Sequence, residues 1–352
     1  MTLESLVFAS AQSQFPIGEG GGETIIRDLL LALHNRGIQV ESDGVWNPEQ
    51  HSQLAQNVSQ LGGALEMSQD GTACCYNLNY NTRLVPRHAF AQLVDEQIAQ
   101  TDSQVVLIQG MDSWEAIAAA KRQGRFPVFY TQNGRELETY PEARTLPLVL
   151  ANSKYFQARM RSEYEIPVEL LYPAVDLDKY RVKENSRRYI TMINPVVIKG
   201  IAYALKLALA YPEREFLVVE GWGTPPDILS VIERIPNVTW WDKQLDMRTV
   251  YSQTDMLLVP SQWDEAFGRV ITEAQINGIP VLASRVGGIP ESLGPGGVMV
   301  DEIQSPQAWS RGLAEVILRY DELAVRAEEH AAQFSSSRAA ERLLEILEDR
   351  VD

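Results

Sequence analysis

Cysteine is nearly absent: the only two, Cys74 and Cys75, are adjacent in a chain of 352 residues. Sequence neighbours rarely meet disulfide geometry, so neither a disulfide framework nor a thiolate metal site is implied, and a reducing cytoplasm fits. Histidine is scarce as well; His34, His51, His88 and His330 fall on expected helices or loops and read as surface or structural residues. No metal site is expected. Long apolar runs are missing, none approaching the roughly 18 residues that span a bilayer. The start, Met1-Thr2-Leu3-Glu4, has no basic region, so neither an exported nor a membrane-spanning protein is expected. Basic residues are in deficit: 31 Lys and Arg stand against 47 Asp and Glu, a net charge of −16. Divided at Asp178, the two parts carry −10 and −6, so neither offers a basic surface. That field repels phosphate backbones and anionic headgroups, which argues against a nucleic-acid partner and leaves at most weak membrane association.

What is present is ordinary globular composition, 45% hydrophobic and 22% charged, enough for two domains. Short Val, Ile and Leu runs alternate with longer stretches of helical period, the pattern of parallel strands joined by crossover helices. Strands are expected at 6–8, 105–108, 127–130 and 148–151. A helix from about Gly22 carries Ile25, Ile26, Leu29, Leu30 and Leu33 on one stripe and stops at Gly37, and another starts at Ser153 as N-cap. Between Tyr172-Pro173 and Arg187-Arg188, charged residues interrupt the apolar pattern and read as a solvated linker. A second series follows, with strands at 189–193, 216–219, 256–259 and 279–283 and helices from Lys199 and about Phe267; residues 305–351 read as two helices broken near Ser336. The expected domains are 1–178, with a tail of about 336–352 packed on it, and 186–335. Two open α/β domains place ligands at the carboxyl ends of their strands and in a cleft between them.

The most informative stretch is Pro260-Ser261-Gln262-Trp263-Asp264-Glu265-Ala266-Phe267-Gly268-Arg269-Val270-Ile271-Thr272-Glu273. A strand feeds a loop carrying Glu265, then a helix whose first N–H groups are suited to oxygen atoms of a ligand. Glu273 lies about two turns into that helix, so both carboxylates can reach one extended polar ligand, and carboxylates accept from vicinal hydroxyls without a metal. A bare Glu pair reads equally as solvated helix-end acids. The glycine cluster Gly20-Gly21-Gly22 after the first strand reads as a close-approach loop or a flexible turn. It misses the dinucleotide pattern, because the sixth position from Gly18 is Glu23. Val196-Val197-Ile198-Lys199-Gly200 lacks the glycine spacing and the following Ser or Thr of a P-loop.

With the following Asn277-Gly278-Ile279-Pro280-Val281 and Gly287-Gly288-Ile289-Pro290-Glu291, this stretch resembles glycosyltransferase family 4. The resemblance implies the GT-B fold: two Rossmann-like domains with parallel sheets facing across a cleft, and a C-terminal helix crossing back to the first domain. The apolar Leu343, Leu344, Ile346 and Leu347 suit that helix, or an oligomer contact in a monomer or homodimer. It further implies a retaining transfer of a hexosyl or deoxyhexosyl group from a nucleoside diphosphate sugar to a hydroxyl, without metal or other cofactor. Glu265, Phe267 and Gly268 would hold the donor sugar, Glu273 the ribose, and Lys199, Gly21 and Gly22 the diphosphate. Lys199 and Glu265 are the expected catalytic residues. Transfer would proceed by front-face displacement, with domain closure excluding water.

The chain departs from the family pattern twice. Where many members have an Arg five residues before the Lys, it has Asn194; either Asn194 donates to the diphosphate or Arg269 compensates. Where a His often faces the sugar, it reads Ile108-Gln109-Gly110-Met111-Asp112, so Gln109 or Asp112 is expected there and an unusual sugar becomes conceivable. Trp222 and Trp240-Trp241 follow strands on the base side and read as packing or as base contacts. Asn152 and Ser153 read as scaffold. The acceptor is expected to be a soluble small molecule, peptide or saccharide. A GT-B epimerase and a silent nucleotide-sugar-binding protein are the competing readings.

Overall fold

The computed structural model describes residues 3–17, 20–132, 135–138, 145–348 and 350. The chain forms two compact units, Met1–Ala174 with Ser336–Asp352, and Val175–Ser335.

Among the described residues, unit 1 has nine strands: β1 Ser5–Ser13, β2 Gln39–Val45, β3 Leu65–Met67, β4 Cys74–Asn77, β5 Asn81–Val85, β6 Val105–Gln109, β7 Phe126–Thr131, β8 Leu148–Ala151 and β9 Val168–Leu170. They lie in the order β3-β4-β5-β2-β1-β6-β7-β8-β9. Only the β3-β4 and β4-β5 pairs are antiparallel. The middle strands are buried on both faces, as continuous apolar runs such as Val105 to Ile108 require. The helix Gly21–His34 buries Ile25, Ile26, Leu29, Leu30 and Leu33. That stripe shares one core with β1, β6 and the C-terminal helix Ser336–Glu348, through Ala339, Ala340, Leu343, Ile346 and Leu347. The helix Lys154–Tyr164 starts where expected, with the Ser153 hydroxyl accepting from Phe156 N at 3.2 Å. Cys74 and Cys75 lie on β4 next to the sheet edge as free thiols, and burial pushes the Cys74 thiol up to about 12.

Unit 2 has six parallel strands: β10 Tyr189–Ile193, β11 Glu215–Val219, β12 Val238–Trp241, β13 Thr254–Val259, β14 Val281–Ser284 and β15 Gly297–Val300. Their order, β12-β11-β10-β13-β14-β15, is that of a Rossmann sheet, 3-2-1-4-5-6.

Two expectations are corrected. The solvated linker is part of unit 2 from Val175 onward: Val175 and Tyr180 are buried, and Asp176 caps the short helix Leu177–Tyr180. Asn277 clamps the segment, accepting from Val182 N at 2.8 Å and donating to the Tyr180 carbonyl at 3.0 Å. Its charges alternate with apolar Val175, Leu177, Tyr180 and Val182, which fill a core beneath β13 and β14. The tail holds three helices rather than two, because Pro306–Leu318 and Tyr320–Ala331 are separated only by Arg319, with no glycine or proline to mark the break.

Candidate active site

In a doubly wound sheet, ligands bind outside the carboxyl ends of the strands where the winding reverses. In unit 2 that point lies between β10 and β13. The loop after β10 carries Asn194 to Gly200, and the loop after β13 carries Pro260 to Gly268. The two touch: Gln262 N donates to the Ile198 carbonyl at 2.8 Å. Gly200 has φ +82°, and a Cβ there would lie 1.9 Å from the Pro260 carbonyl oxygen, so only glycine permits this approach.

Lys199 sits at the end of a short turn, Val197–Lys199, just before the helix Ile201–Ala210 rather than within it. Its ammonium pairs with Glu265 Oε1, and the Ser261 hydroxyl donates to the same oxygen at 2.6 Å. Glu265 Oε2 takes no hydrogen bond from the described residues. The Lys199 ammonium also lies 5.5 Å from the Trp263 ring centroid and 6.0 Å from that of Trp222. Behind Glu265, its carbonyl accepts from Gly288 N at 2.8 Å. A Cβ at Gly287, φ +53°, would stand 2.2 Å from that carbonyl oxygen, so the Gly-Gly loop fits against the Glu265 backbone.

Phe267 and Gly268 lie in the loop, since the helix begins only at Arg269 with Gly268 left-handed at its N-cap. The Phe267 ring packs edge-on against Phe334 at 4.9 Å, and its carbonyl accepts from the Ser292 hydroxyl at 2.5 Å. Glu273 is buried, and the Tyr251 hydroxyl donates to its Oε2 at 2.7 Å. Arg269, one turn earlier on the same helix face, pairs with Glu273 at 3.3 Å and donates to the Tyr180 hydroxyl at 3.1 Å. Burial first, and the Glu273 carboxylate second, push the Tyr251 phenol well above its ordinary range. Arg269 therefore belongs to a buried network with Tyr180, Tyr251 and Glu273, a different placement from the diphosphate role considered for it. Asn194 is likewise engaged. With its amide turned as its neighbours require, it donates to the Trp222 carbonyl and accepts from the Trp222 indole N–H, both at 2.8 Å.

In unit 1 the winding reverses between β1 and β6. Gly22 and Gln109 meet there: a Cβ on Gly22 would lie 3.0 Å from Gln109 Nε2, while Gly21 faces open space. Gln109 is buried, and Ser113 ties its loop down by donating to the Gln109 carbonyl at 2.7 Å and accepting from Ala11 N at 2.8 Å. Asp112 is exposed at φ +61°, its carbonyl accepting from Arg87 at 3.0 Å. Gln132 and Asn152 join this region without having been singled out for chemistry. Asn152 Nδ2 donates to the Gln132 carbonyl at 3.0 Å, leaving Asn152 Oδ1 and Gln132 Nε2 buried without a partner. Their signal was position alone, one residue past the ends of β8 and β7.

Residues 233–334 match the family model described as glycosyl transferases group 1. A D-inositol 3-phosphate glycosyltransferase of Corynebacterium glutamicum (strain R) is 40% identical over 222 residues, 52% of each chain. The chain is similar to these glycosyltransferases over that part of its length. It spans about half the length of that curated relative. Among solved structures, a glycosyltransferase from Rickettsia africae superposes with TM-score 0.77 at 15% identity, covering 98% of both chains. Anabaena HepE, in complex with UDP and glucose, superposes with TM-score 0.74 at 17% identity, covering 98% of this chain and 99% of its own. At these identities the likeness shows the fold alone, GT-B with two Rossmann-like units.

Proposed function

We propose that this protein is a family-4 glycosyltransferase that moves a hexosyl or deoxyhexosyl group from a nucleoside diphosphate sugar to a hydroxyl of a soluble small-molecule, peptide or saccharide acceptor, with retention and without a metal. The observation that carries the reading is the Lys199–Glu265 pair at the winding reversal of unit 2, where Glu265 keeps one oxygen for a ligand hydroxyl. The neighbour in complex with UDP and glucose supports a nucleotide-sugar donor. The name of the relatives makes inositol phosphate the first acceptor to try.

In this reading Glu265 Oε2 and the backbone at Phe267 and Gly268 take the sugar, Glu273 the ribose, and Lys199 with the glycines Gly21 and Gly22 the diphosphate. Gln109 and Asp112 remain proposed sugar contacts. The acceptor oxygen attacks the anomeric carbon on the face from which the diphosphate departs. The carbon–oxygen bond to phosphate breaks, and a leaving phosphate oxygen receives the acceptor proton. The Lys199 ammonium stands where negative charge grows, so its stabilisation is greatest in the transition state. We place the enzyme in the cytoplasm, in keeping with its free thiols. Among the described residues no helix is long and apolar enough to cross a membrane.

Calorimetric titration with UDP, GDP, ADP and TDP, followed by transfer assays, tests this. One nucleotide binds, and Glu273→Gln weakens it roughly tenfold or more, as loss of a charged hydrogen-bond partner requires. Binding without transfer to any acceptor favours the silent reading, which the engagement of Asn194 by Trp222 also favours. Epimerisation of donor in the absence of acceptor indicates the epimerase.

A further inference from the structure

Of the seven tryptophans, Trp222 alone is exposed, at 51%. It is nevertheless held firmly. Asn194, itself left-handed at φ +64°, takes the indole N–H and donates to the Trp222 carbonyl. A Cβ on the preceding Gly221 would lie 2.7 Å from the Asn194 side chain, so the loop rests directly on it. Thr224 closes the turn by donating to the Gly221 carbonyl at 3.1 Å. The polar edge of the indole is thus satisfied from below, and about half of the residue stays exposed, with the Lys199 ammonium 6.0 Å from the ring centroid. Fixing a large aromatic face in water is unfavourable unless something lies upon it.

The strand order says what. The Trp222 loop follows β11, between the Lys199 loop after β10 and a recess of about 370 Å³ after β12 lined by Trp240, Trp241, Asp242, Gln244 and Thr249. The recess adjoins directly: Glu220 N donates to the Trp241 carbonyl at 2.9 Å, and Glu220 accepts from Lys243 N at 3.3 Å. Glu265 lies on the opposite side of Lys199, after β13. A nucleotide sugar with its sugar at Glu265 and its diphosphate at Lys199 can extend its base away from Glu265, toward the loops after β11 and β12, neighbouring strands being about 4.8 Å apart.

We propose that the Trp222 face is the stacking platform for the donor's nucleobase and that Asn194 is the positioning residue that fixes it. This rests on the reading of unit 2 as the nucleotide-sugar site. Asn194 then serves the donor through Trp222 and not by touching phosphate.

The test uses the full chain and titrates UDP, GDP, ADP and TDP, with inorganic pyrophosphate as the base-free probe, against wild type, Trp222→Ala, Trp222→Phe and Asn194→Ala. Trp222→Ala weakens the bound nucleotide about tenfold or more, the size of one base–aromatic stack, while pyrophosphate binds as to wild type and Trp222→Phe restores most of the nucleotide affinity. Asn194→Ala weakens nucleotide without changing pyrophosphate. Nucleotide affinity unchanged in Trp222→Ala overturns the proposal, and a raised acceptor KM in that variant assigns the platform to the acceptor instead. Pyrophosphate binding lost in Asn194→Ala overturns the positioning role. Wild type that binds none of the four nucleotides overturns the donor-site reading and this proposal together, an outcome distinct from those in which only the variants fail to respond.

Discussion

The Ser261 hydroxyl and the Lys199 ammonium meet on one oxygen of Glu265, so an uncharged and a charged side chain together fix the carboxylate's orientation. Ser261 is fully buried and makes this bond at 2.6 Å. Removing it leaves Lys199 as the one hold on the carboxylate among the described residues and leaves every charge in place. Ser261→Ala therefore lowers kcat/KM for the donor about tenfold, in keeping with loss of one hydrogen bond to a charged group, and leaves the urea midpoint nearly unchanged. Steady-state kinetics beside urea unfolding checks this; a large midpoint shift with unchanged kinetics makes Ser261 merely structural.

Glu273 sits under a different constraint. Cutting it to alanine leaves the Arg269 guanidinium buried without its carboxylate, a loss of about 3–5 kcal/mol for a buried pair. Glu273→Gln keeps the shape and an acceptor for the Tyr251 hydroxyl. The alanine variant is expected to unfold at clearly lower urea concentration than the glutamine variant. Both variants lose the charge that faces Arg269, so midpoints equal to that of wild type remove the case for a structural ion pair.

Gly200 combines a left-handed φ with a contact that no Cβ survives. Gly200→Ala costs about 2 kcal/mol or more and moves Lys199 out of register with Glu265. Reduced stability together with lost transfer is the expected result; an alanine variant as active and as stable as wild type contradicts the loop geometry.

Asp43, on β2 in unit 1, is buried beside Arg83 at 2.9 Å with Oδ2 unpartnered. Burial raises its carboxyl to about 7 against the opposing pull of Arg83. The folded state therefore holds a proton that the unfolded chain has released between about pH 4 and 7. Stability attributable to this group falls as pH rises across that window and is flat above it. Asp43→Asn, which cannot ionise, is expected to show a shallower decline of urea midpoint from pH 5 to 7 than wild type. Parallel profiles for the two proteins refute the buried-acid assignment.

If the Lys199 ammonium stabilises the leaving diphosphate, transfer persists in EDTA, and Lys199→Ala loses kcat by about a hundredfold or more while Lys199→Arg retains part of it. Activity that vanishes in EDTA and returns with magnesium overturns metal independence.

The sequence discloses those parts of the fold that local pattern determines. The runs 105–108, 148–151 and 189–193 are apolar on both faces, and β6, β8 and β10 appear there with little change of boundary. Strands β3 and β4 are short and partly exposed at an edge, so their composition carries little signal. Val175 to Val182 reads as linker because its charges dominate a window average, although every second or third residue enters a core. At the site, spacing brings Glu265 and Lys199 to the same winding reversal, but it cannot tell an outward side chain from an inward one. Position in the chain offers either Asn194 or Arg269 to phosphate, whereas the partners they have, Trp222 for the one and Glu273 with Tyr180 for the other, come from elements whose packing no linear pattern records.

The helix Ser336–Glu348 completes the core of the unit that begins the chain, and everything from Val175 to Ser335 is made in between. During synthesis, then, the first unit must wait. Its opening half emerges with the stripe of the helix Gly21–His34 uncovered, and the cover arrives only after the whole of the second unit has left the ribosome. The second unit, contiguous in the chain, is free to fold in that interval. The order of birth and the order of completion are opposite, and the apolar seam stays uncovered while Val175 to Ser335 are made.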